Sequence, residues 1–479
     1  MQERAGRWRV RSDELTLAAA AAAVADGEVS PVELTTAYLE RIDGLNPALT
    51  AYVEVTADRA LADAATLSDE AAAGKLRGPL HGVPIALKDL IDTAGIPTRA
   101  GTLGYRDRVP DTDATIARRL REAGTVLLGK TATHELAYGV TTTNPKAYGT
   151  TCNPWDVDRI PGGSSGGSAA AVVAGLAAAA TGTDTGGSIR IPAALCGCVG
   201  FKPSYGVVSR AGIAPLSWMF DHAGPITQTV TDAALMLDAI SGYDAADEAT
   251  LPGAGGVSGV AGRLRRDVAG WRVGVPRTTA WSALEPGVAA EVEAALAVLT
   301  ELGMQIVEVE LPSFDEITGP IFAYISAECR AAHSTIWPER HDDFGPDLQQ
   351  LLALPALDGD ATVAALRAVA SYARALRQVL AEVDLLASPT VPVIAPPLGA
   401  ESVRLGDTDV PVISALIANT FPYNLAHLPA VSVPCGDAGG LPVGLQLAGA
   451  PLADARVLQA AYAYEQAASW QARRPPLTG

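Results

Sequence analysis

The chain has 479 residues, of which 48% are hydrophobic and 18% are charged, and its formal net charge is −18. This composition is typical of a compact globular protein, and so strong a negative charge repels phosphate backbones and anionic lipid surfaces. We therefore expect no nucleic-acid partner and no membrane association. The apolar run at residues 17–24 is far shorter than the ~20 residues that a membrane span needs, which favours a cytoplasmic protein.

The cysteines exclude two further classes of protein. There are five, and no two of them form a Cys-x-x-Cys pair. An odd number spread thinly along the chain does not predict a disulfide framework, and no partner stands at zinc-ligand spacing from Cys196 and Cys198. We predict reduced cysteines, no metal and no cofactor.

The N-terminal part, to about residue 75, predicts helices. Ser30, Pro31 and Glu33 combine a capping serine, a proline at the first helical position and a glutamate three residues after the cap. Residues 76–240 then alternate short apolar runs with amphipathic stretches. Such alternation predicts strands and helices of an α/β sheet. The predicted elements are strands at 84–87 and 125–128 and a helix at 114–123.

Two segments of this part need an explicit interpretation. Residues 124–131 match the P-loop pattern, but their centre has the propensity of a buried strand, so we interpret the segment as a core strand. Residues 169–180 are almost purely alanine, valine and leucine, with one glycine. They predict a buried helix whose N-terminus, with its unpaired amides, points toward the serines that precede it.

The remainder of the chain predicts a variable, mostly helical region over 245–380 and a C-terminal part over 381–479 that completes the core. A glycine-rich surface loop at 253–259 opens the variable region. The further predicted elements are a strand at 271–275, a helix at 288–302, a strand at 305–311, largely helical structure over 320–380, strands at 430–434 and 443–447, and a helix at 453–468. We predict one large α/β domain over residues 1–479, with a central mixed, twisted sheet covered on both faces by helices.

Lys88 is the first candidate catalytic residue. It is one of only five lysines and lies in the apolar run Gly82-Val-Pro-Ile-Ala-Leu-Lys88-Asp89. Burial disfavours the charged amine and lowers its pKa, so this lysine is a candidate neutral base. A surface pair of Lys88 with Asp89 explains the same residues equally well.

Two glycine clusters supply candidate serines. Residues 162–166 fit G-x-S-x-G, which would make Ser164 a nucleophile and His427 its base. The second cluster, residues 184–190, places successive backbone amides beside Ser188, which are the parts needed to attack a carbonyl and stabilise an oxyanion. No histidine lies near it in sequence, but Ser164 could pass the Ser188 proton to Lys88. A non-catalytic anion-binding loop remains an alternative.

Together these motifs resemble the amidase signature family. The resemblance rests on residues 82–89, on Pro161-Gly-Gly-Ser164-Ser165-Gly-Gly-Ser and on Gly182-Thr-Asp184-Thr-Gly-Gly-Ser188-Ile-Arg190. It extends from about Leu15 through nearly the whole chain, and only 245–380 departs freely. It implies a cofactor-independent serine hydrolase that forms an acyl-enzyme.

The resemblance also implies residue roles. Ser188 would be the nucleophile, Ser164 the bridging serine after a cis peptide bond, and Lys88 the base. The oxyanion hole would consist of the amides of Thr185, Gly186, Gly187 and Ser188. The residues that would support the triad are Ser165, Asp184 and Arg190.

The substrate is predicted from the apolar residues available for a pocket, namely Tyr138, Gly139, Trp218, Met219, Phe322 and Phe421. We expect a small hydrophobic or aryl amide, ester or carbamate (urethane) as the substrate, and a homodimer is compatible with the sequence. The alternative is the glutamine-hydrolysing component of a tRNA-dependent amidotransferase. Against it, no acidic anchor lies between Val410 and His427. A third interpretation, a binding protein without chemistry, disagrees with the intact Lys88, Ser164 and Ser188.

Overall fold

A computed structural model describes residues 15–252, 257–277, 283–313, 315–468, 470 and 473–477. Its strands are β1 (Tyr52–Val55), β2 (Pro84–Lys88), β3 (Val126–Thr131), β4 (Thr143–Asn144), β5 (Gly149–Thr150), β6 (Ala179–Asp184), β7 (Val199–Lys202), β8 (His222–Thr227), β9 (Arg272–Pro276), β10 (Gln305–Val309), β11 (Leu385–Pro389), β12 (Ser402–Leu405), β13 (Thr408–Pro411), β14 (Ala430–Ala438) and β15 (Leu441–Ala448).

The α-helices are α1 (Leu17–Ala25), α2 (Pro31–Leu49), α3 (Ala57–Ala72), α4 (Thr115–Glu122), α5 (Gly166–Val173), α6 (Arg190–Cys196), α7 (Val230–Ile240), α8 (Pro286–Glu301), α9 (Asp315–Ala332), α10 (Pro346–Leu352), α11 (Gly359–Val379), α12 (Val412–Ile417), α13 (Phe421–Leu425) and α14 (Asp454–Ala467). None of these described helices combines the length and the apolar character that crossing a bilayer requires.

One large mixed sheet organises the fold. Its strand order is β1-β3-β2-β6-β8-β7-β14-β15-β11-β9-β10. Strand β2 runs parallel to β3 and β6, and β9 runs parallel to β10 and β11, whereas the other pairs are antiparallel. Helices flank the sheet; α6, for example, packs on β7, β14 and β15. The expected α/β fold with a mixed central sheet is confirmed.

The predicted start of α2 is confirmed in detail. The Ser30 hydroxyl accepts a hydrogen bond from the Glu33 amide at 3.1 Å, and the Glu33 carboxylate accepts one from the Ser30 amide at 2.9 Å. The N-terminal part is not purely helical, however. Strand β1 lies within it and pairs with the edge of β3, because the alternating residues 52–55 complete the sheet there.

The predicted helix over 169–180 is wrong in its second half. Helix α5 ends at Val173, and Gly175 has a φ of +70°, a left-handed conformation that ends helices readily. Ala179 and Ala180 instead pair with β2 on one side and β8 on the other, as part of β6. Hydrogen bonding to two neighbouring strands outweighs the helix propensity of alanine, which is less than about 1 kcal/mol per residue.

The other predicted elements occur within a few residues of their expected bounds. The segment with the P-loop pattern forms β3, a strand between β1 and β2. The variable region contains the expected unit β9-α8-β10, followed by α9, α10 and α11. Residues 253–256 of the predicted glycine-rich loop lie outside the described residues.

Candidate active site

Lys88 ends β2 and is completely buried. Its Nζ lies within hydrogen-bond distance of three hydroxyl oxygens, those of Ser164 at 2.7 Å, Ser165 at 2.8 Å and Thr183 at 2.8 Å. Burial lowers the pKa of Lys88 well below its usual value, although the charges of Asp184 and Asp221 oppose this shift. A neutral amine has two N–H donors and one lone pair, so it can accept the proton of one of these hydroxyls.

Neighbouring elements hold the three hydroxyls in place. Thr183 lies on β6, beside β2 in the sheet. Ser164 and Ser165 precede α5, and the peptide bond between Gly163 and Ser164 is cis, as the resemblance implies. The Ser165 hydroxyl donates to the Thr183 carbonyl at 3.2 Å, and the Ser165 amide donates to the Ser188 carbonyl at 3.2 Å. These bonds tie the first serine cluster to the second.

Ser188 lies in the turn between β6 and α6 and is 7% exposed. Gly187 before it has a φ of +131°, and a Cβ there would stand 2.2 Å from the Thr420 hydroxyl oxygen, so only glycine fits. Within the part of the chain that is described, no hydrogen bond joins the Ser164 and Ser188 hydroxyls. The Ser188 side chain instead borders an open cleft.

One backbone amide of the 185–188 turn forms a hydrogen bond to another described residue of the protein, and the other three do not. The Gly187 amide donates to Asp184 Oδ1 at 2.8 Å, so it is not free to bind an oxyanion as predicted. No hydrogen bond among the described residues uses the amides of Thr185, Gly186 and Ser188. Three of the four predicted donors therefore remain available.

A buried ion pair braces the turn from the inside. Arg190 and Asp184 are both fully buried, with Nη2 donating to Oδ1 at 2.8 Å and Nε to Oδ2 at 3.0 Å. The remaining guanidinium N–H groups are taken up by the Thr420 carbonyl, Gln446 and Asn424. Burial alone would raise the pKa of Asp184, but the Arg190 charge and hydrogen bonds hold it well below the usual range.

Asp221 braces the same turn from the other side. Its carboxylate accepts hydrogen bonds from the Thr185 hydroxyl at 2.5 Å and from the amides of Leu216 at 2.8 Å and Ser217 at 3.0 Å. Burial raises the pKa of this carboxyl, and these donors oppose the rise. The Thr185 backbone is thus fixed through its own side chain.

An apolar cleft opens on Ser188. Tyr138, Gly139, Phe322 and Phe421, four of the predicted pocket residues, line it. The remaining lining residues are Ala137, Val140, Thr185, Gly186, Leu216, Ile325, Ile413 and Ile417. Trp218 instead lines a neighbouring polar cavity with its side chain 46% exposed, and Met219 lines neither space. Trp218 and Met219 therefore do not line the apolar cleft, and their part in a substrate pocket stays a prediction.

His427 is not positioned as a base for Ser164. Its Nε2 donates to the Met219 carbonyl at 3.0 Å, and its ring stacks on Tyr205 with centroids 4.4 Å apart. The amine of Lys88, not His427, lies within hydrogen-bond distance of the Ser164 hydroxyl, so the geometry disagrees with the G-x-S-x-G interpretation.

The sequence reasoning missed Thr183 and Asp221. Thr181, Thr183 and Thr185 follow one another at every second position, so their side chains share a face of an extended segment. The hydroxyls of Thr181 and Thr183 contact Lys88 on the neighbouring strand β2. This alternation was the available signal for Thr183, whereas Asp221 has no comparable local pattern.

The chain is similar to several known proteins. The family model described as Amidase matches residues 33–458. A glutamyl-tRNA(Gln) amidotransferase subunit of Chloroflexus aggregans is 41% identical, covering 97% of this chain and 98% of that protein. The native peptide amidase from Stenotrophomonas maltophilia is 36% identical with a TM-score of 0.85, covering 97% and 98% of the two chains. A bacterial aryl acylamidase of the amidase signature enzymes is 28% identical with a TM-score of 0.87, covering 95% and 96%.

One prediction is wrong in the light of these relatives. We expected a small-molecule substrate and no nucleic-acid partner, but the Chloroflexus relative is named after glutamyl-tRNA(Gln) and as one component of an amidotransferase. The physical reason is that a net charge of −18 argues only against phosphate binding by this chain's own surface. One component of a complex can serve a tRNA-dependent reaction without contacting the tRNA itself.

The family match covers the two serine clusters and Lys88, and the similarity to relatives extends over nearly the whole chain. The chain is therefore an enzyme acting on carbon–nitrogen bonds, and it belongs to the amidase signature family.

Proposed function

We propose that the chain hydrolyses a carboxamide C–N bond through an acyl-enzyme on Ser188. The observation that carries this proposal is the buried Lys88, which has its Nζ among three hydroxyls and a pKa lowered by burial. A neutral amine in that position is a base for Ser164. Ser188, whose backbone is tied to Ser165, stands at the mouth of the apolar cleft.

The proton follows the path Ser188, Ser164, Lys88. As Ser188 Oγ forms a bond to the carbonyl carbon, its proton passes to Ser164 and the Ser164 proton passes to Lys88. The free amides of the 185–188 turn stabilise the oxyanion. The path needs a hydrogen bond between the two serines, and such bonds often tighten only when substrate is bound.

The second half of the reaction reverses this transfer. The proton returns through Ser164 to the leaving nitrogen as the C–N bond breaks, because an amine anion is too poor a leaving group to depart unprotonated. Water, deprotonated along the same path, then attacks the ester carbon and releases the carboxylic acid. No proton or electron is left over.

The cleft favours an apolar acyl group. All thirteen of its lining residues are uncharged. The one tyrosine among them, Tyr138, uses its hydroxyl on the Phe322 carbonyl at 3.1 Å and the Ser326 hydroxyl at 2.9 Å. A charged acyl group would lose its hydration here without finding a counter-charge, which is costly.

A second candidate function is glutamine hydrolysis as one component of an amidotransferase. The 41% identity over nearly the whole chain favours it, and the comparisons weigh towards this candidate. The uncharged lining of the cleft disfavours glutamine hydrolysis, because glutamine carries an ammonium and a carboxylate group. Ile417 lies in the stretch where an acidic anchor was expected, and its side chain lines the apolar wall.

Hydrolysis of esters and carbamates stays a prediction that rests on the mechanism alone. Their carbonyl carbons admit the same attack, but the three relatives named carry names of amide chemistry.

The test compares wild type with Ser188→Ala on phenylpropionamide and on glutamine, with released ammonia as the readout. We expect Ser188-dependent turnover of the aryl amide, and a mass increase of the trapped wild-type enzyme equal to the phenylpropionyl group. Turnover of glutamine alone would favour the amidotransferase function. Turnover that survives Ser188→Ala would refute the acyl-enzyme on this residue.

A further inference from the structure

A second cavity lies beside the apolar cleft and is the larger of the two, with about 220 Å³ against about 40 Å³. The two share Ala137 and Leu216 as a common wall. The second cavity, here called the polar cavity, also reaches Thr183, whose hydroxyl contacts Lys88 Nζ. It therefore adjoins the site on the side of the lysine.

In the proposed mechanism Ser164 returns a proton to the leaving nitrogen, and this step indicates which part of the substrate lies on the lysine side of the site. The acyl group occupies the apolar cleft, and the carbonyl oxygen faces the amides of the 185–188 turn. The leaving nitrogen must face Ser164, which protonates it and which lies against Lys88. A substituent on that nitrogen then extends toward the polar cavity. From this geometry, and resting on the proposed function, we propose that the polar cavity binds the amine portion of a secondary amide and that it selects a cationic amine.

The chemistry of the lining suits such an amine. Arg210 and Asp247 neutralise each other in an ion pair at 3.0 Å, so neither offers a free charge. Glu248 is exposed and forms no ion pair among the described residues. Trp218 lines the same cavity and is 46% exposed. A carboxylate and an indole ring lining one cavity suit an ammonium group.

His222 adds an acceptor at the buried end of the cavity. It is 4% exposed, and its Nδ1 donates to the Phe220 carbonyl at 2.7 Å. Burial lowers the pKa of His222 well below its usual value, so Nε2 carries a lone pair. That Nε2 has no hydrogen-bond partner in the described part of the chain. His222 Nε2 is therefore an unused acceptor on a residue that lines the polar cavity.

The rim of the cavity is held in place before any ligand binds. The Trp218 carbonyl accepts hydrogen bonds from the Tyr205 hydroxyl at 2.6 Å and from Arg210. His427 donates to the next carbonyl, that of Met219, at 3.0 Å. Because the rim is rigid, binding of the amine does not have to order it.

The experiment uses one acyl group with three leaving amines. The substrates are phenylpropionamide, its N-propyl derivative and its N-aminoethyl derivative, which is cationic and close in size to the propyl compound. We measure kcat/KM for wild type, Glu248→Gln, Trp218→Ala and, as a matched control, Glu40→Gln on the exposed face of α2. Binding of the same amides to Ser188→Ala is measured by calorimetry.

We expect wild type to prefer the N-aminoethyl amide over the N-propyl amide. Glu248→Gln and Trp218→Ala should each lower this preference about two- to fivefold, as a single rim charge or an exposed cation–π contact allows. Glu40→Gln should leave it unchanged. Equal preference in wild type, or a preference that neither rim variant lowers, would overturn the inference.

The binding measurement separates this inference from the proposed function. If no amide is turned over by Ser188 but Ser188→Ala still binds the cationic amide more tightly than the propyl amide, the proposed function fails and the inference stands. If turnover depends on Ser188 but binding and kcat/KM are the same for the N-aminoethyl and N-propyl amides, the inference fails and the proposed function stands.

Discussion

Replacement of Arg190 by methionine tests whether the buried ion pair holds the catalytic turn. All five N–H groups of Arg190 donate hydrogen bonds, two of them to Asp184. Methionine fills much of the volume but leaves the Asp184 carboxylate buried without its counter-charge. Removal of one partner of such a pair costs about 3–5 kcal/mol.

The expected shift in melting temperature follows from the size of the chain. An unfolding entropy of about 2 cal/mol/K per residue gives roughly 1 kcal/mol/K for 479 residues. A loss of about 3–5 kcal/mol therefore lowers the melting temperature by about 3–5 °C at neutral pH. Arg118→Met is the matched control, because Arg118 pairs with Glu122 on an exposed helix face, where ion pairs contribute less than about 1 kcal/mol.

The difference between variant and wild type should also depend on pH. In wild type the pKa of Asp184 is held low, so its contribution is complete above about pH 4 and is lost only in stronger acid. In Arg190→Met burial raises this pKa above the unfolded value, so the variant loses stability as pH rises. The gap should thus be larger near pH 7.5 than near pH 5.

Differential scanning calorimetry of wild type, Arg190→Met and Arg118→Met at both pH values makes the comparison. Melting temperatures of Arg190→Met within about 1 °C of wild type would refute the reasoning. So would a gap that is larger at the acidic pH, because it would assign the loss to something other than the Asp184 charge.

Three further perturbations test the site. Burial lowers the pKa of Lys88, so kcat/KM should be retained at neutral pH and fall as pH drops through that pKa; a pH–rate profile without this acidic limb would contradict the base role. Thr183→Val removes one hydroxyl from Lys88 and should lower kcat about five- to thirtyfold with the fold intact by circular dichroism. Gly187→Ala places a Cβ 2.2 Å from the Thr420 hydroxyl oxygen at a φ of +131° and should abolish activity, whereas Gly319→Ala, with open space around it, should leave activity and melting temperature within error.

Elements with a strong local signal could be predicted from the sequence. The capping residues of α2 and the apolar strands β2 and β3 occur where the pattern indicated. The segment 169–180 could not be predicted, because alanine favours a helix locally while the sheet supplies two hydrogen-bonding neighbours for residues 179 and 180. Only the position of β6 between β2 and β8 decides the matter, and that is a property of the whole fold.

The site residues, too, divide into those that the local sequence predicts and those that only the folded structure determines. Lys88 could be predicted because a lysine inside an apolar run is unusual, and glycines beside Ser188 mark a tight turn. The use of individual amides could not be predicted, since the Gly187 amide is taken by Asp184 through a side-chain orientation that no spacing encodes. The position of Trp218 in the polar cavity rather than in the apolar cleft could not be predicted for a related reason. An aromatic residue suits an apolar wall, but here its backbone is fixed at the rim of the polar cavity.

The two carboxylates that flank the turn connect its geometry to the base strength of Lys88. Asp184 holds the turn through the Gly187 amide, and Asp221 holds it through the Thr185 hydroxyl. Each carboxylate charge raises the pKa of Lys88 and so opposes the effect of burial. Arg190 offsets the charge of Asp184. In the proposed mechanism the 185–188 turn thus has two rigid anchors, and Arg190 limits the negative field of one of them. This limit favours the neutral Lys88 that the mechanism needs to accept the proton of Ser164.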